Sequence, residues 1–163
     1  MITHESGLLC FVLLYILGLY RILVANKGFL LVTEQQDHTI LVVDDDPALQ
    51  KLVVSLIRRA GMETLSAMDA HEAAAHLNRD TLPDLILLDL MLPEISGIQF
   101  LQKIRSKSQF DTIPVIILSA LADPVQIREG LESGADRYLT KPYLANNLIK
   151  TVREVLQHGR REA

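Results

Sequence analysis

Four short apolar runs, each ended by a polar residue, constrain this chain more than any other feature. Ile40-Leu41-Val42-Val43 runs into Asp44-Asp45, and Leu85-Ile86-Leu87-Leu88 runs into Asp89. Val115-Ile116-Ile117-Leu118 runs into Ser119, and Tyr138-Leu139-Thr140 runs into Lys141-Pro142. A run without polar alternation is buried on both faces, as in a parallel sheet covered by helices on either side. Glu63 to Ala67 supplies one further strand. Helical spacing fills the gaps, first with apolar residues at 49, 52, 53, 56 and 57. Five strands alternating with five helices predict an α/β fold with a doubly wound, flavodoxin-like parallel sheet of order 2-1-3-4-5.

The helix starts are marked. Asp46 precedes Pro47, Asp69 precedes Glu72 by three residues, Ser96-Gly97 opens a further helix, and Asp123 precedes Pro124. Asp46 and Asp123 are therefore read as N-caps. Gly61 and Gly134 suit helix ends. Leu148, Ile149, Val152, Val155 and Leu156 form the apolar stripe of the last helix.

At 163 residues, 49% hydrophobic and 22% charged, the chain holds one full core and leaves no room for a second ordinary domain. The net charge is −4, with no Lys/Arg run, so direct nucleic-acid binding is not expected. Cys10 is the only cysteine, and the five histidines lack metal-ligand spacing.

From Gly7 to Tyr20 every residue is apolar or glycine; Arg21 interrupts, and the run continues to Ala25. An N-terminal apolar helix is expected over 7–25, and three readings fit it: a membrane anchor, an extra helix packed on a partner, or dispensable upstream sequence. If it spans a membrane, Arg21 and Lys27 put the rest of the chain on the cytoplasmic side. Lys27 to Asp37 reads as a linker. The expected division is thus 1–37, apolar segment and linker, and 38–160, the folded domain.

In a sheet of this order the site lies beyond the carboxyl ends of the strands, at the switch point between strands one and three. That brings Asp44 and Asp45 beside Asp89, with Ser119 and Lys141 from the next two strands. Oxygen donors without histidine or cysteine favour a hard ion, most simply Mg²⁺. Three acids, one lysine and one divalent ion balance in charge, and such a site can accept a phosphoryl group. With no cysteine or histidine in these motifs, the attacking group is a carboxylate. Asp89 stands alone at the central strand and is the candidate; paired Asp44 and Asp45 suit metal. Ser119 and Lys141 suit phosphoryl oxygens. Met91 and Leu121 flank the site and are read as limiting water access.

The segments Ile40 to Pro47, Leu87 to Pro93, Leu118-Ser119-Ala120 and Leu139 to Pro142 together resemble the receiver domain of two-component response regulators, from about Thr39 to about His158. The resemblance implies that Asp89 accepts phosphate from a histidine kinase or phosphotransfer protein. It implies that Asp45, Asp89 and the Met91 backbone carbonyl bind Mg²⁺ directly, Asp44 partly through water, and that Lys141 contacts the phosphoryl group. It implies a cis Lys141-Pro142 bond. It also implies a switch pair, Ser119 and Tyr138, reshaping the face of helix four, strand five and helix five.

So read, the chain is a single-domain receiver in a bacterial cytoplasm, tethered to the membrane if 7–25 spans. It is no enzyme beyond its own phosphorylation and dephosphorylation. Ending soon after the last helix, it is expected to act on a separate downstream effector or to relay phosphate. Two rivals exist. An aspartate-based phosphatase would use Asp44-x-Asp46, but Pro47-Ala48 follows and there is no length for a cap domain. A degenerate receiver fits poorly with an intact acid set.

Overall fold

The computed structural model describes residues 20–24, 30–34, 38–143 and 145–161. Contacts divide the chain into one unit over 1–37 and a second over 38–163. In the first, β1 (Tyr20–Val24) pairs antiparallel with β2 (Leu30–Glu34), Tyr20 opposite Glu34 and Val24 opposite Leu30. This differs from expectation twice over. Tyr20–Val24, taken as the end of an apolar helix, is extended, and Leu30–Glu34 is a strand within the stretch read as linker. Apolar content alone does not separate helix from strand, and the Tyr, Ile, Val and Thr residues of these segments favour the strand. The rest of the expected helix, 7–19 and 25, lies outside the described residues. No helix among the described residues is long and apolar enough to cross a membrane.

In the second unit β3 (Thr39–Val43), α1 (Pro47–Arg59), β4 (Glu63–Ala67), α2 (Ala70–Leu77), β5 (Leu85–Leu88) and α3 (Gly97–Arg105) follow in turn. A 3₁₀ turn (Ser108–Phe110), β6 (Val115–Ser119), α4 (Pro124–Glu132), β7 (Arg137–Thr140) and α5 (Ala145–His158) complete it. The sheet order is β4-β3-β5-β6-β7, all parallel. Counted within this sheet, that is the expected 2-1-3-4-5.

The alternation of side chains along a strand explains the unbroken apolar runs. Ile40 and Val42 share one core with Leu85, Leu87, Ile116 and Leu118, covered by Val53 and Ile57 of α1 and Leu148, Val152 and Val155 of α5. Leu41 and Val43 join Ile86, Leu88 and Ile117 on the other face, under Ala73 and Leu77 of α2 and Phe100, Leu101 and Ile104 of α3. Each large side chain buried here is worth about 1.5–3 kcal/mol, and a one-residue slip would send every one to the wrong helix layer. The register that positions the strand ends is therefore held by the whole core.

The caps behave as the sequence suggests. Asp46 accepts from the Ala48 and Leu49 amides, Asp69 from Glu72, and Asp123 from Val125. Ser96 and Gln99 form a reciprocal capping box. Gly61 and Gly134 take φ of 87° and 102° just beyond α1 and α4.

Candidate functional site

The sheet ladder runs directly into the polar residues. The Asp44 amide donates to the Ala67 carbonyl (3.2 Å), Asp89 to Val43 (2.9 Å) and Lys141 to Ser119 (2.7 Å). The Gln50 side chain, from α1, donates to the carbonyls of Asp44 (3.2 Å) and Ala67 (2.8 Å). The backbone at the carboxyl ends of β3 and β5 to β7 is thus set by hydrogen bonds before any side chain is considered.

Carboxylate oxygens of Asp44, Asp45 and Asp89 lie within 4.8 Å of one another. Asp44 and Asp89 are 2% and 6% exposed, whereas Asp45 is open to solvent. Asp44 Oδ1 accepts the Asp46 amide at 3.0 Å, and Asp89 Oδ1 accepts the Met91 amide at 3.2 Å. Lys141 Nζ donates to the other oxygen of each, at 2.8 Å to Asp44 and 2.6 Å to Asp89. Burial disfavours the ammonium, but the bonds to Asp44 and Asp89 and their charges outweigh it, so its pKa lies above the ordinary lysine value. The Lys141-Pro142 peptide is cis.

The donor set fits a hard divalent ion. It offers only oxygens, none of the three carboxylates is paired with an arginine among the described residues, and one lysine leaves two negative charges to balance. Asp45, exposed beside two buried acids, leaves room for retained waters.

Ser119 is fully buried, and its Oγ accepts the Leu121 amide at 3.2 Å. Its hydroxyl proton remains available to a further acceptor. The Tyr138 hydroxyl donates to the Leu121 carbonyl at 2.7 Å. Burial pushes the Tyr138 phenol pKa up, the neighbouring Ser119 hydroxyl opposes this, and the Asp89 charge adds to the rise. The two residues assigned to the switch pair therefore meet at Leu121.

Sequence reasoning missed two supports. A Cβ on Gly97 would stand 2.2 Å from the Asp89 carbonyl oxygen, so the chain returns against the end of β5 with no room for a side chain. The signal was the glycine itself, eight residues beyond Asp89. A Cβ on Gly130, in α4, would meet the Tyr138 ring at 3.2 Å, so this glycine lets the ring lie against α4. Met91 is exposed (59%), while Leu121 is half-buried beside the site.

The family description for the response regulator receiver domain matches residues 40–153. The chain belongs to this family. Among curated relatives, the DNA-binding response regulator MtrA of Mycolicibacterium smegmatis is 40% identical over 76% of this chain and 52% of its own length. The phosphate regulon transcriptional regulatory protein PhoB of Escherichia coli is 38% identical over 72% of this chain and 51% of its own. The chain thus spans about half the length of these relatives. Among solved structures, the receiver domain of the Francisella response regulator 1452 has a TM-score of 0.68 at 36% identity, covering 74% of this chain and 97% of that one. The chemotaxis response regulator CheY4 of Vibrio cholerae gives 0.68 at 30% identity, covering 72% and 98%. Receiver domains of this family are signalling modules rather than enzymes on external substrates, and they interact with histidine kinases and effectors.

Proposed function

We propose that this receiver takes a phosphoryl group onto Asp89 from a histidine kinase or phosphotransfer protein and uses the modification to change its affinity for a downstream partner. One observation carries the reading: three stretches distant in sequence, bearing Asp44 and Asp45, Asp89, and Lys141, meet at one sheet edge. In the step, a carboxylate oxygen of Asp89 bonds to phosphorus as the phosphorus–nitrogen bond of the donor phosphohistidine breaks. The electron pair leaves with the imidazole, which takes up a proton. Lys141 is within reach to pair with a phosphoryl oxygen, and Ser119 can donate its hydroxyl to another. Asp45, Asp89 and the Met91 carbonyl would hold Mg²⁺, with Asp44 acting partly through water. When bound, the ion supplies charge neutralisation at the phosphoryl oxygens.

The charge gained at Asp89 favours whichever arrangement of Ser119 and Tyr138 satisfies it, and the α4–β7–α5 face follows as a population shift. The reading places the receiver in a bacterial cytoplasm. It assigns the receiver itself no nucleic-acid surface, although the relatives named above are DNA-binding regulators.

The test is incubation of the full chain with acetyl phosphate and Mg²⁺, read by intact mass. Wild type should gain one phosphoryl group and Asp89→Asn none, with chelation of the metal abolishing uptake. Equal labelling of Asp89→Asn, or an unmodified wild type in magnesium, overturns the proposal.

A further inference from the structure

A cleft of about 390 Å³ lies between α2 and α3, on the sheet face away from α1 and α5. Its floor is apolar, made by Ala74 and Leu77 from α2, Phe100 and Ile104 from α3 and Phe110 of the 3₁₀ turn, while His71, Asn78 and Ser106 add polar groups to its walls. Its volume is in the range of small-molecule sites.

The charges along its rim are segregated. Asp69 and Glu94 stand where α2 and α3 begin, and Lys103 and Lys107 stand where α3 ends. The Asp69 carboxylate is engaged with the Glu72 amide as a helix cap. The lysines are not engaged with acids: neither has a carboxylate within 4.0 Å among the described residues. The Lys107 ammonium sits 5.6 Å from the centre of the Phe110 ring, at the apolar floor itself. Lys103 and Lys107 form the cationic end of the slot, Lys107 over the Phe110 ring, while the exposed Glu94 stands towards its other end. A neutral apolar molecule would leave that end unused, and a cation would be repelled from it.

We infer that the α2–α3 cleft binds a small amphipathic anion, with an aromatic or aliphatic body on Ala74, Leu77, Phe100 and Phe110 and an acidic group at Lys103 and Lys107. The wall at Glu94 and Ile95 belongs to the connection that starts at Asp89. Glu94 has φ 62°, and the Ile95 amide donates to the Pro93 carbonyl at 2.6 Å, a γ-turn in the positive-φ region. Such a turn is rarely adopted by residues with side chains. The ligand would therefore touch a strained piece of the connection between the candidate phosphoacceptor and α3.

The test uses two fluorescent probes of the same body: 8-anilinonaphthalene-1-sulfonate, an anion, and its neutral parent N-phenyl-1-naphthylamine. The full chain is titrated with each, in wild type, in the double variant Lys103→Gln/Lys107→Gln, and in Ala74→Phe. Both lysines are exposed, so the double variant keeps the fold, and urea unfolding checks this for each protein. Wild type should bind the anion saturably at one site and at least about fivefold more tightly than the neutral parent, the scale of a single charge-assisted contact. The lysine variant should lose that advantage while keeping its affinity for the neutral probe. Ala74→Phe should weaken both probes by filling the slot. Equal affinity for the two probes, or anion binding that survives both variants, overturns the assignment.

Discussion

Lys141 donates to Asp89 at 2.6 Å across 52 residues of chain, and to Asp44 at 2.8 Å across 97. One ammonium thus stands between two nearly buried carboxylates that would otherwise repel. Its removal should have opposite effects on two observables. In Lys141→Met the site is one unit more negative, so Mg²⁺ should bind more tightly. Phosphoryl uptake should fall roughly 10²–10³-fold, as when a preorganised donor is removed from a developing negative charge. Calorimetric Mg²⁺ titration and initial rates with acetyl phosphate measure the two. An unchanged uptake rate would remove Lys141 from the machinery.

Gly97 offers a steric test of the same strand end. An alanine Cβ there would lie 2.2 Å from the Asp89 carbonyl oxygen and 2.8 Å from Leu90 Cα. Both obstacles are backbone and neither can rotate away. Gly97→Ala should cost about 1–3 kcal/mol in urea unfolding and should slow uptake by displacing Asp89. A variant with the wild-type midpoint would show that the connection yields without strain.

The sheet and the site edge were legible because they depend on strand-length apolar runs and on the residue that ends each one. Asp44, Asp45, Asp89, Ser119 and Lys141 converge because parallel strands align their carboxyl ends; the β/α alternation predicts that parallel sheet, while the strand order, which alternation alone does not fix, is β4-β3-β5-β6-β7. The Tyr138 contact with Leu121 was not legible, since a side-chain bond to a carbonyl has no sequence signature. Nor was the burial of Asp136, which looks like any acid before a strand. Tyr20–Val24 failed for a different reason. Its composition suits either structure, and the pairing with Leu30–Glu34 that decides it lies outside any local window.

Alkaline stability should report on three groups at the site. Burial, with the charges of Asp44 and Asp89, raises the Tyr143 phenol pKa against the opposing effect of Lys141. The Tyr138 phenol and the Lys141 ammonium are raised as well. A raised value means that the folded chain holds its proton more tightly than the unfolded one. The contribution is whole below the unfolded values, about 10 for tyrosine and 10.4 for lysine, and is lost as pH climbs through the folded ones. Urea midpoints of wild type and Tyr138→Phe/Tyr143→Phe should therefore run parallel from about pH 7 to 9. Above about pH 10 the wild type should fall more steeply. Parallel curves throughout would show that neither phenol is perturbed by folding.

Asp136 anchors the opposite end of the sheet. It is 1% exposed and accepts the Val115 amide at 2.8 Å and the Arg161 amide at 2.7 Å. The Arg105 guanidinium lies 3.5 Å from one of its oxygens, and that of Arg160 lies 3.5 Å from the other. Arg160 also reaches Asp111 at 2.7 Å, and Gly159, at φ 73°, lets the chain turn back after α5 to do so. A lone carboxylate thus joins the starts of β6 and β7, the end of α3 and the segment after α5. Asp136→Ala removes the acceptor of the Val115 and Arg161 amides and the anionic partner of the Arg105 and Arg160 guanidinium groups, and should cost about 3–5 kcal/mol. Asp136→Asn keeps an oxygen for Val115 and should cost less. Because Asp136 stands at the amino end of β7 and the carboxylate cluster at the carboxyl ends, uptake per folded molecule should not change in either variant. Urea unfolding paired with phosphorylation at a temperature where both variants are folded separates the two effects; uptake that falls along with stability would mean that the two ends of the sheet are coupled.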